Sequence, residues 1–235
     1  MPGRHALSDA EWAPLAPLPP TDARKGKKWA HHHKIINAIL FRSRTGTPWH
    51  DQPERYGPRE TTTGLHRRWS IDATRQRNTD RLRIDAASGE EPITSIDSTG
   101  VRSHQHSAGA AEKGDTVRDG TGGREALGRS RGGLTTKIHL LADQYRRPLV
   151  VATSPGQRGD SPMFEPLMAG LRLPRTVSAP RTRPDRVLGD KACSSSSNRA
   201  VATRHDKRAA IFEGTVQVAS IRIWLRNLTG SENSA

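Results

Sequence analysis

The chain has 235 residues, and its 38 Lys and Arg outweigh 24 Asp and Glu to leave a net charge of +14, a balance that points to a polyanionic partner, most simply nucleic acid. Hydrophobic residues are only 32% and aromatics 4%, thin for a length that accommodates one ordinary domain and a smaller one. The single cysteine, Cys193, excludes an intramolecular disulfide, and no long apolar run marks a membrane span, so no membrane partner and a cytoplasmic location are expected.

Residues 8–18 read as a short helix, opened by a Ser8/Glu11 capping box and interrupted by Pro14 and Pro17. A basic linker, 21–28, follows. Residues 29–44 form an amphipathic helix with Ile35, Ile36, Ile39 and Leu40 on one face, Arg42 and Arg44 in its last turn and Gly46 as its stop. His31, His32 and His33 read as part of that helix rather than as a metal site. Residues 45–59 are a structured loop. A third helix is expected to begin near Glu60 and to run past Leu65 and Trp69 toward Leu82. Its polar face carries Arg67, Arg68, Arg75, Arg77, Arg81 and Arg83. Three short helices with basic faces suggest a helix-turn-helix-like unit that contacts DNA, the bland alternative being a solvated Arg face.

Strands are expected at 93–97, 135–142 and 148–153, then a helix opened by Ser161 and Pro162 and running through Leu171. A Pro- and Arg-rich linker, 174–186, leads to a fourth strand at Val187 and Leu188. The order is β-β-β-α-β, with Asp97 closing the first strand and Asp190 following the fourth. Asp-Ser-Thr-Gly at 97–100 is also good turn chemistry. After Ala192 the pattern collapses, until 206–226 read as a final amphipathic helix with Phe212, Val216, Ala219 and Ile223 at helical spacing.

If the first and fourth strands are parallel neighbours, the carboxylates of Asp97 and Asp190 come together at their ends. Two such groups repel unless a cation lies between them, and hard oxygen ligands favour magnesium or manganese. Paired ions of this kind serve in-line phosphoryl displacement. The residues therefore point to a metal-dependent phosphodiester enzyme in a basic protein.

The runs IDSTGVRSHQHSAGA, ALGRSRGGLTTKIHLLAD, PLVVATSPGQRGDS, VLGDKA and ATRHDKRA resemble DDE transposases of bacterial insertion sequences, most closely the insertion-sequence-five type. GTPWHDQPERYGPRETTTGLHRRWS resembles the same family's leading helical segment, so the resemblance covers roughly residues 7–228. It implies an α/β fold: a helical DNA-binding region (1–90), an RNase H-like core carrying both aspartates (91–192), and a remnant C-terminal helix and tail (193–235). It also implies Asp97 and Asp190 as catalytic, metal-holding residues, with Mg2+ or Mn2+ as cofactor. The partners implied are double-stranded DNA and the terminal inverted repeats of a mobile element; a homo-oligomer is compatible with this. Arg67, Arg68, Arg129 and Arg131 are the candidate DNA contacts, the last two in the GRSRGG run beside Gly amides.

One departure stands out. Members of the family carry a third carboxylate, a Glu in a Y-x-x-R-x-x-x-E helix ahead of the ATRYDK-like run. Here residues 191–201 separate Asp190 from ATRHDK and contain no Glu. The chain reads as an in-frame deletion, a transposase defective in strand cleavage and transfer. The alternatives are a non-catalytic protein that occupies element ends and, from another class, an unrelated nuclease or RNA-binding protein. Glu213 is the remaining downstream candidate before the polar tail, but it lies beyond the motif that should follow the catalytic Glu.

Overall fold

The computed structural model describes residues 6–17, 31–72, 93–104, 126–173, 179–189, 203–204 and 206–229, with positions 74, 79, 80, 82 and 107. Asp190, Cys193, the basic linker 21–28 and Arg75, Arg77, Arg81 and Arg83 lie outside the described residues.

Helix α1 (Asp9–Trp12) is shorter than its apolar spacing suggested. The capping box forms: the Ser8 amide donates to Glu11 Oε2 at 2.9 Å and the Glu11 amide to Ser8 Oγ at 3.2 Å. Pro14 and Pro17 then leave only turns through residue 17. Helix α2 (His32–Thr45) buries Ile35, Ala38, Ile39 and Leu40, and Gly46 ends it at φ 72°, with its amide returning to the Arg42 carbonyl at 2.9 Å. Two 3₁₀ turns, Trp49–Asp51 and Glu54–Tyr56, order the loop between α2 and α3. Helix α3 (Arg59–Ile71) buries Leu65, His66 and Trp69 and stops at Asp72, earlier than expected, although Leu82 is itself fully buried in the core.

The sheet is built on β1 (Ile93–Ser103). Antiparallel β3 (Gly133–Asp143) pairs with it from Thr94↔Asp143 to Arg102↔Thr135. On its other edge, parallel β5 (Arg186–Gly189) pairs from Ile93↔Arg186 to Ile96↔Gly189, and parallel β6 (Thr203–Arg204) pairs at Arg102↔Thr203 and Ser103↔Arg204. The far edge of β3 takes antiparallel β4 (Pro148–Pro155) and the short β2 (Gly128–Ser130). The run GRSRGG is therefore a hairpin rather than an open loop: Ser130 pairs with Gly133, whose φ of 100° suits glycine. A 3₁₀ turn (Ser161–Met163) leads into helix α4 (Phe164–Ala169). The N-cap is Asp160 rather than Ser161, and its side chain makes no capping bond because it is engaged elsewhere.

Helix α5 (Ala209–Thr229) is the longest element and the centre of packing. It is apolar on nearly all sides, which suits a helix covered all round. Leu225, Trp224, Ile221 and Val218 join Leu7, Leu15, Ile39, Leu65 and Trp69 from the N-terminal helices and Leu141 and Leu149 from the sheet in one core. Trp224 Nε1 donates to the Pro148 carbonyl at 2.9 Å, fixing α5 to the start of β4. A void of about 30 Å³ remains between Leu15, Ile36, Ile39, Leu40, Trp69, Val218 and Ile221. A second cluster, Val101, Ile138, Phe212 and Val216, seats α5 against the other end of the sheet.

N-terminal helices followed by a mixed sheet with flanking helices are consistent with an RNase H-like α/β fold. Among the described residues no helix is long and apolar enough to cross a membrane.

Candidate functional site

Asp97 lies within β1, not at its end. The strand continues to Ser103 because Thr99 and Val101 keep the alternation, and Val101 is buried against Phe212 and Val216. The register pairs Asp97 with Leu140 on β3. On the other side, parallel pairing with β5 runs to Ile96↔Gly189, one residue before Asp97 on one strand and before Asp190 on the other. Asp97 is half-buried, and its Oδ1 accepts the Ser98 amide at 2.7 Å. Among the described residues, no three His, Cys, Asp or Glu side chains converge on a point that could hold an ion.

The period of two along a strand puts Asp97, Thr99 and Val101 of β1 on one face, together with Leu140 and Ile138 of β3 and Val151 and Thr153 of β4. That is the face α5 covers. Glu213, on α5, thus shares a face with Asp97. Its carboxylate, however, is engaged: Oε1 accepts from Thr153 Oγ1 at 2.6 Å and from the Thr153 amide at 3.2 Å. Thr153 stands two strands and two register positions from Asp97, so their backbones are ~11 Å apart by ordinary strand spacing and rise. Glu213 is therefore a half-buried staple between α5 and β4.

Arg67 and Arg68 are exposed on α3, and Arg129 and Arg131 are exposed at the β2–β3 hairpin. Not all of the positive charge faces solvent. Arg222 is only 8% exposed on α5; burial, with Arg226 and Arg44 nearby, brings its guanidinium down to about 10 against the opposing pull of Glu11. Burial likewise lowers Arg42, opposed by the charge of Asp206, and Arg42 lies over the Trp49 ring at 4.5 Å.

The ATRHDK run has a structural role that its motif did not reveal. Arg204 is completely buried. Its Nε donates to the Asp206 carbonyl at 2.8 Å, and its two terminal nitrogens donate to Thr136 Oγ1 and the Lys207 carbonyl, each at 2.7 Å. The Arg204 carbonyl in turn accepts the His104 amide at 2.8 Å and the Ser107 hydroxyl at 3.0 Å. A planar fork with five donors suits this convergence of acceptors, as an ammonium would not. On the sheet face opposite α5, Lys137, His139, Ser154 and Asp160 form a second polar group. Strand alternation puts Lys137 and His139 on one face, but the loop residue that meets them was not readable from sequence.

A family model described as "Putative transposase of IS4/5 family" matches residues 7–78, and one described as "Transposase DDE domain" matches residues 88–211. The chain is also similar to an uncharacterized protein, y4sN, of Sinorhizobium fredii: 30% identical over 106 residues, covering 44% of this chain and 82% of the relative. No solved structure matches. The DDE model spans more than half of the chain and includes the strand with Asp97, the hairpin and the buried Arg204 fork; the chain belongs to the DDE transposase family.

Proposed function

We propose that the chain is an insertion-sequence transposase of the insertion-sequence-five type that binds the ends of its element, and that an internal deletion has left this copy unable to cut them. The observation that carries the proposal is the parallel register of β1 with β5, which runs to Ile96↔Gly189. Asp97 and Asp190 are the next residue on each strand. Continued by one step, the register makes them neighbours, and two adjacent carboxylates suit a magnesium or manganese ion. Bound there, the ion supplies Lewis-acid activation of water and of the scissile phosphodiester.

The chain's own residues have distinct parts in this reading. The Ser98 amide orients the Asp97 carboxylate. Exposed Arg67 and Arg68 on α3, and Arg129 and Arg131 on the hairpin, meet backbone phosphates. The missing part is a third carboxylate. Glu213 is the sequence's remaining candidate, and its engagement with Thr153 favours a copy that occupies element ends without cleaving them.

The test is a cleavage assay on element-end DNA with magnesium and then manganese. No cleavage with magnesium and at most traces with manganese are expected, alongside duplex binding that weakens steeply as salt rises. Arg67→Ala with Arg68→Ala should reduce both affinity and salt slope. Inserting the Glu-bearing segment of an intact relative between Val201 and Ala202 should restore cleavage, and Asp97→Ala or Asp190→Ala should abolish it again. Efficient cleavage by the unaltered chain, lost with Glu213→Gln, would overturn the deletion reading.

A further inference from the structure

Three of the runs that carry the family resemblance meet on the face of the sheet away from α5. Ser98 comes from IDST, Lys137 and His139 from LTTKIH, and Asp160 from PGQRGDS. Lys137 Nζ donates to Asp160 Oδ1 and to the Arg158 carbonyl, both at 2.9 Å. His139 is 1% exposed; its Nε2 shares a 2.7 Å hydrogen bond with Ser154 Oγ, and its Nδ1 lies 3.8 Å from the same Asp160 oxygen. The Ser98 hydroxyl is a third partner of the Asp160 carboxylate. Hydrogen bonds from Lys137 and Ser98 and the charges of Lys137 and His139 outweigh the desolvation that pushes this carboxyl up, and hold it below its usual value.

This group is poorly placed to stabilise the fold. The Asp160 side chain is 61% exposed, and an ion pair screened in this way contributes little. It is well placed to hold one point of the backbone. Among the described residues, β5 accompanies β1 only to Ile96 and β6 only from Arg102, so Ser98 has a strand neighbour on the β3 side alone. The Ser98 hydroxyl is tied to Asp160 on one face, and its amide donates to Asp97 Oδ1 at 2.7 Å.

We propose that Asp160 is a positioning residue for Asp97: it anchors Ser98 to Lys137 of β3, and Ser98 then presents its amide to the Asp97 carboxylate. The inference rests on the reading of Asp97 as the site's carboxylate, and its test reads the position of that carboxylate without using cleavage.

The experiment is amide hydrogen exchange by NMR on the full chain, comparing Asp160→Ala, Asp160→Asn and Ser98→Ala with the parent. Asp160→Ala should speed exchange of the residue-98 amide about fivefold or more, the ratio expected for one lost hydrogen bond. Exchange at Ile138 and Leu140, in the paired strand, should stay unchanged. Asp160→Asn keeps an acceptor oxygen and should restore most of the protection. Ser98→Ala should reproduce the Asp160→Ala effect, and the double variant should add nothing to it. Unchanged residue-98 exchange in Asp160→Ala would overturn the proposal. So would a uniform rise along β1 and β3, the mark of a merely structural role, or a failure of Asn to rescue. A parallel manganese titration reads paramagnetic broadening at Asp97. Its absence, with residue-98 protection still dependent on Asp160, would refute the metal reading and leave the positioning role intact.

Discussion

Gly214 on α5 marks the closest approach between the last helix and α3, and replacing it with alanine sets two effects against each other. A Cβ at this position would lie 2.0 Å from Ser70 Oγ, 2.6 Å from Ser70 Cβ and 3.3 Å from Ser70 Cα. The hydroxyl, bonded to the His66 carbonyl at 2.8 Å, can rotate away, but the Ser70 Cβ cannot. The helices must separate by about 1 Å to restore ordinary carbon–carbon contact. Overpacking of this kind costs ~1–3 kcal/mol. Replacing a mid-helix glycine by alanine returns ~1 kcal/mol. Gly214→Ala should therefore destabilise by ~1 kcal/mol net, or ~2–4 °C in melting temperature for a chain of this size. Ser70→Gly removes the obstructing atoms, and in that background Gly214→Ala should become stabilising by ~1 kcal/mol. Urea unfolding followed by tryptophan fluorescence suits the measurement, because Trp69 and Trp224 are 4% and 2% exposed in the core that α3 and α5 share. Equal effects of Gly214→Ala in the two backgrounds would show that the helices do not cross at this point, and would refute the reasoning.

Arg204→Ala should cost ~3 kcal/mol or more, because it strands two carbonyls and the Thr136 hydroxyl in a dry interior; Arg204→Lys should recover little of this, and denaturant midpoints check both. Burial holds His139 and His32 below the ordinary histidine value, so the unfolded chain binds more protons on the acid side. Stability should thus be constant above pH ~6.5 and fall as pH drops through that value toward the lowered folded-state values. Urea midpoints between pH 8 and 5 test this, and His139→Gln should flatten the slope.

Much of the sheet was legible in the sequence because Ile138 and Leu140, and the apolar run Leu149 to Val151, advertise strands directly. The capping box of α1 and the Gly46 stop of α2 were legible for the same local reason: their determinants lie within a few residues of each other. The rest depended on distant partners. The second half of β1 is rich in Ser, Thr and Gly, and it is held as a strand by β3 rather than by its own alternation. The β2 segment has three residues and no apolar pattern, so only the paired register reveals it. Glu213 read as a surface residue of the last helix because its partner, Thr153, is sixty residues away. For the site, Asp97 was legible from its motif, whereas the anchoring of Ser98 through Asp160 was not. Such a link joins side chains from three separate runs and leaves no periodic trace in any of them.

The two short strands that share one edge of β1 set the tolerance of the chain between them. Gly189 pairs with Ile96 and Thr203 with Arg102, six positions further along the same strand. Both run parallel to β1, so the path from one to the other advances only ~20 Å in a constant direction. Residues 190–202 could reach more than twice that distance fully extended. Closing a longer excursion between the same two anchors costs little, ~0.6 kcal/mol for each doubling of its length. Loss or gain of a segment here therefore leaves the strand order, the Arg204 fork and the seat of α5 unchanged. A mobile element that accumulates deletions at this point would shed its chemistry long before it sheds its fold, and such copies would persist as folded competitors for the DNA ends of intact ones.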